Sequence, residues 1–72
     1  MTFKAYIENI EAKTGKTSAD FRQLALQKGW LIDGKLRQDV KAGEVVAWLK
    51  QDFTLGHGHA MAIVALLKGM QP

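Results

Sequence analysis

Cysteine is absent from this chain of 72 residues, and the single proline is Pro72. Without cysteine, neither a disulfide nor a thiolate metal site can stabilise so small a chain. A chain of this length buries only about 60% of the surface of its unfolded form, so its core is thin. We therefore expect one small helical domain, residues 1–72, that is stabilised by helix packing or by association with a second chain.

Long apolar runs and a strong charge of either sign are also missing. The longest uncharged apolar run, 60–67, falls far short of the roughly 20 residues that cross a bilayer. The N-terminus, Met1-Thr2-Phe3-Lys4, lacks the basic and then apolar profile of a secretory signal, so we expect a cytoplasmic protein without membrane contact. A net charge of +3 is weaker than that of a dedicated nucleic-acid arm but is compatible with an anionic partner.

Apolar residues recur at helical spacing in four segments. The predicted helices run from about Phe3 to Lys13, Ser18 to Lys28, Ala42 to Phe53 and His59 to Lys68. Thr17 and Asp20 match a capping box at the start of the second helix. Gly15, Gly29 and Gly69 stand where helices end. The fourth helix is apolar on every face, so it is either central in the fold or part of an interface.

The segment 30–40 does not have helical periodicity. Asp33-Gly34 is a strong turn dipeptide and makes a short hairpin possible. Because an isolated two-stranded ribbon is marginal, we favour an irregular loop, with Trp30 and Leu31 tucked under the helices. The predicted fold is all-α, a compact bundle of four short helices with an irregular loop between helices 2 and 3. Its core is expected around Trp48, Phe21, Ile10 and Ile63.

Several short motifs together resemble a family. They are Thr14-Gly15-Lys16-Thr17, Asp20-Phe21, Gly43-Glu44 before Val46-Ala47-Trp48-Leu49-Lys50, Asp52-Phe53, and Leu55-Gly56-His57-Gly58-His59-Ala60-Met61-Ala62-Ile63. This pattern resembles a bacterial family of small proteins that is classed as a domain of unknown function. The loop from Ile32 to Asp39 is longer and more charged here than in that family. The resemblance implies a compact helical domain, and it implies no activity and no site residues.

The candidate binding residues are Gly56, His57, Gly58 and His59, where glycine and histidine alternate before the apolar run. A purely structural role is also open. In that interpretation Gly56 caps helix 3, Gly58 turns the chain, and His59 caps helix 4 or packs beside Trp48. The sharp turn would then depend on glycine, which adopts backbone angles that other residues resist.

Neither metal binding nor catalysis is favoured by these residues. A zinc site needs three or four protein ligands, and only Asp52 is an obvious third beside His57 and His59. No serine or threonine is spaced as a nucleophile beside a histidine, and paired carboxylates are absent near the corner. We therefore expect no enzyme, no cofactor and no metal.

Two kinds of partner remain. The first is protein: the chain would be a non-enzymatic binding module that contacts either another protein or a second copy of itself in a homodimer. The second is phosphate or a nucleic-acid backbone at the 56–59 corner, where a helix N-terminus offers free N–H groups. Gly56-x-Gly58-x-x-x-Ala62 is similar to the turn of helix-hairpin-helix DNA-binding modules, although His57 stands where those carry an apolar residue. Basic residues near the first corner and the loop could assist: Lys13, Lys16, Lys28, Lys35, Arg37 and Lys41.

Overall fold

The structure, a computed structural model, describes residues 2–70, so Met1, Gln71 and Pro72 of the expected domain lie outside it. In this range the helices are α1 (Phe3–Thr14), α2 (Ser18–Gln27), α3 (Ala42–Phe53) and α4 (His57–Leu67). Strands β1 (Leu31–Ile32) and β2 (Lys35–Leu36) lie between α2 and α3. The predicted all-α class with four short helices is confirmed. None of these helices combines the length and the apolar character that crossing a membrane requires.

Capping residues bound the first two helices, and the sequence predicts Gly15 and the Thr17–Asp20 pair among them. The Ala5 N–H donates to Thr2 Oγ1 (3.1 Å) at the start of α1, and Gly15 ends that helix in the left-handed region with φ 73°. Thr17 and Asp20 form the predicted capping box at the start of α2. These caps satisfy backbone groups that a helix end leaves unpaired.

The segment between α2 and α3 corrects the prediction of an irregular loop. β1 and β2 pair antiparallel, with Leu31 opposite Leu36 and Ile32 opposite Lys35. Asp33 (φ 53°) and Gly34 (φ 78°) both have positive φ, as the tight turn of a two-residue hairpin requires. The ribbon is stable because Leu31 and Leu36 pack against the hydrophobic core instead of standing alone in solvent.

The core of the described chain is built around α4. This helix packs against α1, α2 and α3 and buries residues on nearly all its sides. The side chains predicted as core are all buried: Ile10, Phe21, Trp48 and Ile63. The apolar character of α4 is thus explained by its central position, which is one of the two roles that such a helix can have.

The turn from α3 to α4 does not depend on glycine as expected. Thr54, with φ 57°, is the left-handed residue that ends α3, and its N–H donates to the Leu49 carbonyl. Gly56 has an ordinary φ of −72° and is the N-cap of α4, and Gly58 already lies within the helix. The prediction that Gly56 caps helix 3 and Gly58 turns the chain is therefore wrong.

Candidate functional site

An open groove of about 430 Å³ lies between α1 and the beginning of α4. Its lining is mostly apolar and comprises Phe3, Tyr6, His57, Gly58, Met61 and Ala62. We call it the α1–α4 groove. Met61 is 39% exposed, which is high for so large an apolar side chain on a central helix. The groove therefore presents apolar surface to solvent beside two of the four candidate residues.

Helical spacing explains why these side chains meet. On α1, Phe3 and Tyr6 are three residues apart and lie one turn before the buried Ile7 and Ile10. On α4, residues 57, 58, 61 and 62 are spaced by one, three and one, so they share a face. The two faces meet at the groove, where Tyr6 lies beside Gly58.

Gly58 matters at this gap because it has no side chain. A Cβ at position 58 would lie 3.6 Å from the Tyr6 hydroxyl oxygen and 3.7 Å from its ring, which is ordinary van der Waals contact. A side chain at position 58 is thus not excluded by a steric clash. Glycine makes the groove deeper than alanine would at this position. The Tyr6 ring is exposed to the groove on the side that an alanine methyl group would cover.

The four candidate residues do not act as one cluster. His57 and Gly58 line the groove, whereas Gly56 is exposed at the N-cap. His59 is half-buried and its ring makes an edge contact with the Tyr6 ring, with centroids 5.2 Å apart and planes at 83°. The expected contact of His59 with Trp48 is replaced by this contact, because α4 begins two residues earlier than predicted and the ring faces α1.

The beginning of α4 has free backbone donors. Gly56 makes no side-chain cap, and the first turn of the helix contains no acidic residue. The first helical backbone bond in this turn runs from the Ala60 N–H to the Gly56 carbonyl (2.9 Å). The N–H groups of residues 57–59 therefore have no carbonyl acceptor within the helix. They carry the partial positive charge of the helix dipole.

Four of the six basic residues near the first corner and the loop already make intramolecular contacts. Lys13 Nζ donates to the Thr54 carbonyl (3.0 Å), and Arg37 makes a bidentate pair with Asp39 and a bond to the Gly29 carbonyl. The aliphatic stem of Lys35 lies beside Gly69, where a Cβ would come within 3.4 Å of Lys35 Cε, and Lys28 lies over two tryptophan rings. These contacts disperse the basic side chains over several elements.

Metal ligands do not converge in the part of the chain that the structure describes. No group of three or more His, Asp or Glu side chains there is placed to hold a metal ion. His57 and His59 point to different surroundings, and Asp52 is exposed near the end of α3. The possible His57, His59 and Asp52 set is therefore not assembled.

The sequence did not indicate the α1 wall of the groove. Phe3 and Tyr6 lie on or beside the apolar stripe of the first helix, and Met61 is one member of an apolar run, so helical periodicity does not distinguish them from buried residues. Their incomplete burial depends on how α1 and α4 pack together, which is a long-range property. The available signal was the spacing of Met61 four residues after His57, on the same helical face.

The fold and groove define a small helical module. The chain belongs to a family described as a domain of unknown function, DUF4287, whose model matches residues 2–69. Comparison with the curated proteins and with the solved structures finds no match to this chain.

Proposed function

We propose that this chain is a non-enzymatic protein-binding module whose α1–α4 groove receives a short segment of a partner protein. The observation that carries the proposal is the open apolar lining of the groove, which includes the exposed Met61. Concave apolar surface with few polar groups is typical of binding sites, and exposed methionine suits adaptable contacts. We expect the partner segment to insert one bulky apolar side chain into the groove.

The size of the groove favours a short segment over a second copy of the chain. A stable dimer buries roughly 800 Å² on each partner and uses 20–30 residues a side. The chain exposes 4419 Å² in total, and six residues line the groove. Self-association was also suggested by the apolar character of α4, but the central position of that helix now accounts for it.

Charge favours a partner segment that also carries a carboxylate. The groove lining contains no acidic side chain, and the chain has a net charge of +3. His57 and the free N–H groups at the beginning of α4 lie at one end of the groove. A carboxylate next to the inserted apolar side chain would be stabilised there by the helix dipole.

Selection from a random peptide library displayed on phage, with the purified chain as bait, tests this proposal. We expect enriched peptides to share one bulky apolar residue and to lose at least about tenfold in affinity for Met61→Gln, which removes apolar contact from the groove. The matched control is Leu26→Gln, since Leu26 is a 55% exposed apolar residue of α2 outside the groove. Leu26→Gln should bind the same peptides as the original chain.

Three results would overturn the proposal. The first is a selection without enriched peptides, and the second is equal binding of those peptides by Met61→Gln and the original chain. The third is a concentration-dependent dimer in sedimentation experiments that Met61→Gln dissociates, because the groove would then be filled by a second copy.

Phosphate or nucleic-acid binding at residues 56–59 is the second candidate. It is supported by the uncapped beginning of α4 and by the two histidines in its first turn, whose ring N–H groups can donate to an anion. It has less support because Lys13, Arg37 and Lys28, three of the six basic residues near the first corner and the loop, already contact other groups of the chain. Titrating inorganic phosphate and then duplex DNA against the histidine ring resonances at pH 5–8 tests it, and unshifted resonances would exclude it. A histidine shift with DNA that is lost on adding salt would instead favour this candidate.

A further inference from the structure

The ammonium group of Lys28 lies against both tryptophans of the chain. Trp30 and Trp48 contact each other with ring centroids 5.4 Å apart and planes at 87°. The Lys28 ammonium nitrogen lies over both rings, 5.2 Å from the centroid of Trp30 and 5.1 Å from that of Trp48. Both distances are within the roughly 6 Å at which an aromatic face attracts a cation.

The two aromatic walls are held independently of Lys28. Trp48 lies in the core with 9% of its surface exposed, and the Phe53 ring packs against it. Trp30 is anchored through its backbone, because its N–H donates to the Ala25 carbonyl (3.0 Å) and its carbonyl accepts from the Arg37 N–H (2.8 Å). Removal of the lysine side chain would therefore leave two perpendicular indole rings in place.

The Lys28 side chain, by contrast, is held in place by few interactions. It stands at the C-terminal cap of α2, its side chain is exposed, and within residues 2–70 it has no carboxylate partner. A primary ammonium is strongly hydrated and has three hydrogen-bond donors, and aromatic faces satisfy none of them as well as water does. The flexible stem can swing into solvent without any change in the backbone.

We propose that Trp30 and Trp48 form a binding site for a methylated ammonium group and that Lys28 fills this site in the free chain. Methylation removes the N–H donors and weakens hydration, so such a group prefers aromatic faces more strongly than a primary ammonium does. Lys28 then acts as an internal competitor that the ligand displaces. The site shares no residue with the α1–α4 groove and does not depend on the function proposed for it.

Intrinsic fluorescence tests this site directly, because its two walls are the only tryptophans in the sequence. The probes are choline and its neutral carbon isostere 3,3-dimethylbutan-1-ol, each titrated against the chain and Lys28→Ala. We expect a saturable signal with choline, tightened about tenfold in Lys28→Ala, and no saturable signal with the neutral alcohol. Lys50→Ala is the matched control, since it removes one exposed positive charge from α3 and should bind choline as the original chain does.

Further variants separate a binding effect from a folding effect. Trp30→Phe should retain part of the choline affinity and Trp30→Leu should lose it, with the same helical circular dichroism in both. A parallel titration with Nε-trimethyllysine amide and phosphocholine shows the source of the ligand. Tighter binding of the first probe indicates a methylated protein side chain, and tighter binding of the second indicates a lipid headgroup. Equal responses to choline and to the neutral alcohol, or no saturable response in Lys28→Ala, would overturn the proposal.

Discussion

At the scale of single residues, the beginning of α2 shows how the contribution of one side chain to stability can depend on pH. The Thr17 N–H donates to Asp20 Oδ2 (2.9 Å), and the Asp20 N–H donates to Thr17 Oγ1 (3.2 Å). The bond from the Thr17 backbone lowers the pKa of Asp20 below its ordinary 3.8, and the Thr17 side chain and then the charge of Lys16 lower it further. The folded chain therefore favours the ionised carboxylate.

Asp20→Asn is expected to lower the melting temperature at pH 6 and to have a smaller effect as the pH falls below about 3.8. The pKa of Asp20 is lower in the folded than in the unfolded chain, so its contribution is fully present above the unfolded value and is lost as the pH falls through the folded value. Thermal melts of both proteins from pH 2 to pH 6 measure the difference. A difference that stays constant over this range would show that the capping carboxylate does not contribute through its charge.

At the scale of elements, the hairpin shows what local sequence can and cannot determine. The Asp33-Gly34 turn was predictable, because few residue pairs accept two successive positive φ angles. The strands were not, because their stability comes from partners distant in sequence or specific to the fold. Leu31 and Leu36 are the main example, since both pack against a hydrophobic core whose residues come from all four helices.

The beginning of α4 was mispredicted for a related reason. Glycine disfavours helix interiors by roughly 1 kcal/mol, so Gly58 suggested a turn instead of a helical position. In the fold, residues 57–67 are held by contacts with three other helices, and this packing outweighs the local preference. The position of the candidate segment at a helix start could be predicted from sequence. The groove beside it could not, because it depends on where α1 crosses α4.

Alanine substitutions at two glycines should have opposite effects on stability. Gly34→Ala is expected to destabilise the fold by about 1–2 kcal/mol, because residue 34 has φ 78°. Gly58→Ala is expected to stabilise it by up to about 1 kcal/mol, because residue 58 is helical and its new methyl group meets Tyr6 at an ordinary contact distance. Urea denaturation of both variants measures the two changes. Destabilisation by Gly58→Ala would mean that α4 does not include this residue.

At the scale of the whole molecule, the fold depends on a thin core in which aromatic rings meet edge to face. Trp48 contacts the rings of Trp30 and Phe53, and Phe53 contacts Phe21, so the four rings join the hairpin, α3 and α2. The sequence predicted Trp48 and Phe21 as core because of their helical spacing. It could not predict this chain of ring contacts, since helical periodicity identifies a buried face and not its neighbours.

Trp48→Ala should lower the free energy of unfolding by about 3–5 kcal/mol. Small domains are stable by only about 5–15 kcal/mol, so we expect a large loss of folded protein at 37 °C. Urea denaturation followed by circular dichroism measures the change. Lys50→Ala on the same helix should stay within about 0.5 kcal/mol of the original chain. A Trp48→Ala protein with an unchanged midpoint would show that the ring cluster is dispensable.

The central position of α4 also sets an order of events during protein synthesis. The ribosome delivers the chain from its N-terminus, so α1, α2 and α3 emerge before the helix that they surround. Until residues 57–67 have left the exit tunnel, the faces of these three helices that pack on α4 have no partner. Folding must then wait for a late segment, and the nascent chain carries exposed apolar surface that a chaperone can bind.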